Sequence, residues 1–486
     1  MALQICFITA EMTPFAKAGG LADVSGALVK YLHAAGHDIR LFMPGYSSIK
    51  RESLEIYPVE FLQDIALRIG TLEFRFSVQT ARLPGSEAMV YLIDCPAMFN
   101  RSGLYTDDPD EYRRFLLLTH AAFISCQRMG FAPQILHCND WHSGMGPLWL
   151  RTVYHWDALF AKTRSVMTVH NIGYQGVVGS ERREELLPVP DKQWLHQDEL
   201  RAGHINMLRH GLAYADLITT VSPTYALEIQ TASFGMGLEA ILRARADALV
   251  GILNGVDYSE WDPRNDRHLP RVYGPRQLGI KAELKAQFLA EIGLEAGARR
   301  PLVGIVSRLA TQKGFDLLLE ALPMLLATRD FSLAVLGAGE ARYEQFFTTL
   351  AHQHPERVFF HRGYSDERAH WIEAASDMFL MPSHYEPCGL NQMYSLRYGT
   401  VPIVRRTGGL ADSVQPFDGK SGTGTGIVFE HYTVTGVLWA VNTALDLYAN
   451  KGSWRHLVQN GMAMDYSWAH QVGYYIAQYE RLAGST

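Results

Sequence analysis

Gly19-Gly20-Leu21-Ala22-Asp23 and Gly408-Gly409-Leu410-Ala411-Asp412 repeat the same five residues near opposite ends of the chain. Lys17 stands two positions upstream of the first copy and Arg406 two upstream of the second. A glycine pair that opens a helix leaves backbone N–H groups uncovered at the positive end of the helix dipole, where an anion can sit. The repeat predicts two similar anion-binding turns, carried by two similar α/β lobes that face one anionic ligand.

Further polar groups fall where predicted strands end. After the run Leu302–Val306 come Arg308, Gln312, Lys313 and Gly314. The planar fork of Arg and the compact charge of Lys suit a diphosphate leaving group; a solvated surface loop is the other reading. Glu386-Pro387-Cys388-Gly389-Leu390 follows the run Met378–Met381 and opens a helix. Gly389 permits close backbone approach, and the Leu390 end offers N–H groups to phosphate. Glu386 either accepts hydrogen bonds from sugar hydroxyls or merely complements the helix dipole. Cys388 reads as a packing residue. In the first half, Cys138-Asn139-Asp140-Trp141-His142 and Thr168-Val169-His170-Asn171 both close strands. Asp140 and His170 therefore either converge on a shared crevice or serve structure alone. Gly337-Ala338-Gly339 sits in a strand-to-helix turn, but Arg342 replaces the third glycine of a dinucleotide fingerprint, which leaves a nicotinamide-enzyme reading on two glycines.

Alternating elements must hold these groups. Leu3–Thr9, Ile39–Met43, Val90–Asp94, Ile135–Cys138, Ser165–Val169 and Leu217–Val221 read as buried strands separated by helical patterns. Leu253–Arg300, with Asn254-Gly255, Asp262-Pro263, Gly274-Pro275 and Gly297, reads as a connection with one short helix at Lys281–Ile292. A second series then runs strand Leu302–Val306, helix Phe315–Leu326, strand Ser332–Leu336, helix Glu340–His352, strand Arg357–Phe360. It continues with helix Asp366–Ala375, strand Met378–Met381, helix Leu390–Tyr398 and strands Val401–Val404 and Gly426–Phe429. Trp468–Leu482 is a final helix. The expected fold is α/β, with two doubly wound Rossmann-like domains and ligands at the carboxyl ends of their strands.

At 486 residues the chain exceeds one ordinary core, and a net charge of −6 without a basic stripe excludes a general nucleic-acid binder. Five scattered cysteines without a C-x-x-C pair fit a reducing compartment and no structural zinc. Neither strand end carries an H-x-x-x-H or D-x-D pattern, so no metal is expected there. With no signal-like start and no long apolar run, the expectation is a cytoplasmic protein without membrane or nucleic-acid partners.

The chain resembles the bacterial and plastid-type glycogen (starch) synthases over nearly its whole length. The resemblance is carried by Lys17–Asp23, His137–His142, Thr168–Tyr174, Asn254–Asp257, Ser307–Leu309 with Gln312–Gly314, Gly363-Tyr364, Glu386–Leu390, Thr407–Asp412 and Tyr466–Trp468. It implies a GT-B architecture with an interdomain cleft: residues 1–252 as the acceptor-side domain, joined by a C-terminal helix 466–486, and 253–465 as the donor-side domain. It implies retaining transfer of glucose from ADP-glucose to the non-reducing end of an α-1,4-glucan primer, without metal or other cofactor. Arg308, Lys313 and Lys17 would bind the diphosphate, with backbone near Gly19–Gly20, Cys388, Gly389–Leu390 and Thr407–Gly409. Tyr364 would stack on adenine. Glu386, His170 and Asp140 would hold the glucosyl unit or stabilise its charge, and Asn254 and Asp23 would lie near the donor. A non-catalytic glucan-binding protein is the remaining alternative, against which the intact set Lys17, Arg308, Lys313 and Glu386 speaks.

Overall fold

The computed structural model describes residues 2–294 and 299–484 and forms two compact units. One comprises the chain up to Val221, Ala226–Gly255 and the segment from Trp468; the other comprises Ser222–Tyr225 and Val256–Ser467.

The first unit is built on one sheet. Its parallel part runs Leu249–Gly251, Leu217–Thr220, Arg164–Val169, Ile135–Asn139, Gln4–Ile8, Asp38–Pro44 and Met89–Asp94 in spatial order. The central strands Gln4–Ile8, Ile135–Asn139 and Arg164–Val169 are short and buried on both faces, as helix-covered parallel strands must be, while the edge strand Leu249–Gly251 is half-buried. The sequence reading found six of the seven and missed an antiparallel extension, in which Leu72–Arg82 pairs with Met89–Asp94, Ile56–Pro58 and Ile65–Ile69. Ile65–Ile69 alternates buried and exposed residues, and Gly70 at φ +61° turns it into Leu72, so a half-buried hairpin was written there in period two.

In the second unit all six strands are parallel, in the order Val358–Arg362, Ser332–Gly337, Leu302–Val306, Met378–Met381, Val401–Arg405 and Ile427–Phe429. Leu318, Leu322 and Leu325 of the helix Phe315–Thr328 pack with Val303, Ile305 and Leu333 in its core. The connection holds the expected short helix, at Leu278–Glu291. Gly297, counted in that connection, lies outside the described residues.

The unit boundaries differ from the expected 252/253 and 465/466. Ile252 N–H still donates to Thr220 O at 2.8 Å, and Gly255 lies so close to Trp468 that a Cβ would collide with its ring. Val256 is the first residue of the other unit, its N–H donating to Tyr466 O at 2.7 Å. Tyr466 belongs there too, its hydroxyl donating to Ser413 O at 2.8 Å. Ser222–Tyr225 joins the second unit because Ser222 Oγ donates to Pro387 O and Thr224 Oγ1 to Asp412 Oδ1. The last helix, Trp468–Gly484, packs on the helix Gly20–Ala34 of the first unit, and its Tyr479 hydroxyl meets His137 Nδ1 at 2.6 Å. No helix among the described residues is long and apolar enough to cross a membrane.

Candidate active site

In the first unit three neighbouring parallel strands deliver polar groups from their carboxyl ends. Gln4–Ile8 leads to Glu11, Ile135–Asn139 to Asp140, and Arg164–Val169 to His170. Asp140 is 7% exposed and adopts φ +50°, a region costing a non-glycine residue about 1–3 kcal/mol. That twist aims its Oδ1 at the His170 N–H, 2.7 Å away. Burial pushes the Asp140 carboxyl up to about 7, against the pull of the His170 and Asn171 amides. Asn139 Nδ2 donates to Ile8 O, which turns its Oδ1 toward His170 Nε2 at 2.9 Å. His170 Nε2 therefore carries the proton and Nδ1 is left as an acceptor. Desolvation drives this imidazole down to about 3, so it stays neutral at physiological pH.

The first glycine pair does not present both amides outward. Glu11, buried and missed by the sequence reading, accepts from Ala18 N–H at 2.5 Å and Gly19 N–H at 2.9 Å through Oε2. Its Oε1 accepts from the Tyr105 hydroxyl at 2.5 Å. The amides of Ala18 and Gly19 thus hold an internal carboxylate, where the glycine pair was expected to face a bound anion. Lys17 Nζ lies 2.8 Å from Asp23 Oδ1, so these two form an ion pair at the start of the helix that Gly20 opens. Asn254 is also in this unit, with a buried Oδ1 that has no partner among the described residues. An unsatisfied buried acceptor is costly, and a donor reaching Asn254 Oδ1 would relieve that cost.

The second unit assembles a carboxylate–cation pair. Gly314, at φ +81°, turns the chain where a Cβ would strike Pro382 O, and it places Lys313 over the loop after Met378–Met381. Lys313 Nζ donates to Glu386 Oε1 at 2.8 Å and Oε2 at 2.6 Å, and Ser383 Oγ adds a third bond at 3.0 Å. Glu386 is 4% exposed. Arg308 lies on the same loop as Lys313, its Nη2 donating to Gln312 Oε1 at 3.1 Å.

Gly408 and Gly409 back this loop. A Cβ on Gly408 would collide with Glu386 O, and one on Gly409 with Cys388 O. Gly409 N–H donates to Glu386 O at 3.1 Å and to Pro387 O at 3.2 Å, so its amide holds the loop instead of pointing outward as expected. Thr407 is buried and immediately precedes the helix Gly408–Ser413. Cys388 is buried, and its carbonyl accepts from Gln392 Nε2. Gly389, at φ +71°, and Leu390 lead into the helix Asn391–Tyr398, whose first turn no side chain caps. Tyr364 is 67% exposed, its hydroxyl donating to Asp366 Oδ1.

The nicotinamide reading meets a filled turn: Gly339 N–H donates to Glu344 Oε1 at 2.9 Å, and a Cβ on Gly337 would collide with Ser307 O. Those glycines serve close packing, and a carboxylate stands where a pyrophosphate would bind.

Comparison with known proteins decides between the enzyme classes left open by this geometry. Residues 4–244 match the starch synthase catalytic domain, and residues 293–461 match glycosyl transferases group 1. The chain is 43% identical over 487 residues to a glycogen synthase of Anaeromyxobacter dehalogenans (strain 2CP-C), covering 99% of this chain and 100% of that one. The chain belongs to the glycogen synthase family. A glycogen synthase of Myxococcus xanthus (strain DK1622) is 43% identical over 471 residues, covering 96% of both chains. Among solved structures, the catalytic domain of starch synthase IV from Arabidopsis thaliana, bound to ADP and acarbose, superposes with a TM-score of 0.92 at 30% identity, covering 100% of both chains. A sucrose-phosphate synthase from Thermosynechococcus elongatus shares the fold, with a TM-score of 0.62 at 17% identity over 99% of both chains. The protein is thus a glycogen/starch synthase of GT-B fold, and its reaction is glucosyl transfer in glycogen or starch synthesis.

Proposed function

We propose that the donor is ADP-glucose and that glucose passes to the non-reducing end of an α-1,4-glucan with retention of configuration and without a metal. The observation that carries this reading is the Lys313–Glu386 pair, past the ends of parallel strands in the second unit, with Arg308 on the same loop as Lys313. Cleaving a glycosyl phosphate leaves negative charge on the phosphate and positive charge on the sugar. Preorganised cations and a carboxylate address both without a Lewis acid.

In this reading Arg308 and Lys313 hold the diphosphate with amides at Gly389 and Leu390, and Tyr364 stacks on the base. Lys17 serves the same anion; the amides of Gly19 and Gly409, being bonded to Glu11 and Glu386, keep the loops in place. Asp140, His170 and Asn254 serve the glucosyl unit. Glu386, held at both oxygens, is a poor nucleophile. That favours attack on the face the phosphate leaves: the C1–O bond to ADP breaks, the acceptor oxygen bonds to C1, and the acceptor's hydroxyl proton passes to the departing phosphate.

ADP release from ADP-glucose is expected only when glycogen or a maltooligosaccharide is present. Equal turnover with UDP- or GDP-glucose would remove the donor assignment, and an inverted product would remove the front-face route.

A further inference from the structure

We infer that His268, Asp366 and His370, in the second unit, form a binding site for a divalent transition-metal ion, best suited to zinc, apart from the residues assigned to transfer. One ligand atom from each lies within 4.8 Å of those of the other two. His268 Nε2 is 3.4 Å from Asp366 Oδ2, and the two imidazole rings are 4.6 Å apart. Asp366 and His370 are four residues apart on the helix Asp366–Ala375 and so project from one face.

What lifts this cluster above a chance ion pair is how its histidines are held. Asp266, fully buried, accepts from His370 Nδ1 at 2.9 Å and from the Tyr398 hydroxyl at 2.6 Å through Oδ2. Its Oδ1 accepts the His268 backbone N–H at 2.8 Å. One carboxylate therefore fixes the His370 tautomer, leaving the Nε2 lone pair for coordination, and anchors the backbone of the other histidine. A carboxylate behind a ligating imidazole is the recurrent support of metal-bound histidine. Trp261 stacks on His370 at 3.7 Å and limits ring rotation.

His268 Nε2 accepts from Arg267 Nε at 3.3 Å, so this nitrogen also presents a lone pair. A metal must displace that guanidinium. Two imidazoles and a carboxylate are a nitrogen-and-oxygen donor set for zinc, whose tetrahedral ligands stand roughly 3.4 Å apart, with a fourth position left for water. Partly exposed His268 and exposed Asp366 can close the remaining distance by side-chain rotation. Asp366 already bonds the Tyr364 hydroxyl through Oδ1, so an ion on Oδ2 would also restrain Tyr364.

The test is titration of the full-length protein with Zn²⁺ against a chromophoric chelator, with Co²⁺ absorption as a check on coordination. One ion per chain is expected, with at least 10-fold weaker binding in His268→Ala and in Asp366→Ala, both of which alter side chains at or near the surface. Arg267→Ala should bind more tightly, which a simple His268–Asp366 ion pair does not predict. All five cysteines are buried, so thiols of the folded protein do not compete. Absence of stoichiometric binding would overturn the assignment, as would unchanged affinity in the His268→Ala/Asp366→Ala double variant.

Discussion

The Lys313 ammonium is bonded to both oxygens of the Glu386 carboxylate, at 2.8 and 2.6 Å, across 73 residues of sequence. Glu386 is buried and Lys313 only partly so, which makes the pair a fixed dipole with its positive end nearer solvent. Removing either partner from a buried pair leaves the other uncompensated.

Lys313→Ala and Glu386→Ala are each expected to lower kcat by roughly 100- to 1000-fold, the usual cost of one preorganised charged contact at a transition state. Because the two act as a unit, the double variant should lose far less than the product of the single losses. Steady-state kinetics on all four proteins checks this, and multiplicative losses would show that the pair does not work together.

Asp140 sets a pH dependence. Its carboxyl is raised to about 7, so it is neutral well below that pH and ionised above it. If ionised Asp140 stabilises positive charge on the sugar, kcat/KM should fall as pH drops through about 7. Asp140→Asn should be slow at all pH values and lack this acid limb, a comparison that pH–rate profiles make directly. The stability sign is opposite: the folded state holds the extra proton between 3.8 and about 7, so ionising Asp140 destabilises the fold as pH rises through that window.

Much of this arrangement was legible in residue pattern. Most parallel strands were readable as largely apolar runs, the three-residue Leu249–Gly251 being too short to register, and the placing of Asp140 and His170 followed from polar residues at adjacent strand ends. The antiparallel strands carry a different signal, Leu72, Phe74, Phe76 and Val78 alternating with Glu73, Arg75, Ser77 and Gln79, which a reading by continuous apolar runs passes over. Glycine pairs announced two tight turns, but not the partners of their amides. Gly19 bonds a carboxylate eight residues back, and Gly409 a carbonyl from another loop. Such pairings are set by tertiary approach and leave no local spacing. Glu11 has only one sequence signal, a carboxylate just past the end of the first strand. Asp366 and His370 carry a four-residue helical spacing, but His268 joins them from about a hundred residues away.

Glu11 offers a test of the first glycine turn. Glu11→Ala should lose roughly 1–3 kcal/mol of stability, since the Ala18 and Gly19 amides and the Tyr105 hydroxyl lose their shared acceptor. If the turn is an anion cradle, sulfate should recover part of that loss and stabilise the native protein less. Chemical denaturation with and without sulfate measures both, and equal sulfate effects would show that the turn has no anion preference of its own.

Tyr364 separates binding from chemistry. Its ring is exposed and its hydroxyl is tied to Asp366, so the face is positioned for stacking. Stacking of a base on an aromatic ring contributes about 1–3 kcal/mol, so Tyr364→Ala should raise the donor KM by roughly 10-fold with kcat little changed. Tyr364→Phe should retain donor affinity. A loss confined to kcat in the alanine variant would contradict the stacking role.

Lys281 makes a prediction about the fold alone. Its ammonium is buried against Glu373 O, Ala374 O and Thr400 Oγ1, at 3.2, 2.8 and 2.7 Å, and burial brings its pKa down to about 7 from 10.5. The unfolded chain keeps this proton to about 10.5, so between pH 7 and 10 it binds more protons than the folded one, and stability rises with pH at up to about 1.4 kcal/mol per unit. Glu373, pushed up to about 8 by burial, works in the opposite sense below that pH and is silent above it. The Lys281 contribution is therefore cleanest between pH 8 and 10. Lys281→Met, which keeps the length of the side chain without the charge, should remove that rise. The difference between native and variant unfolding free energies should change with pH across this window, and parallel curves would show that Lys281 keeps its proton in the folded protein.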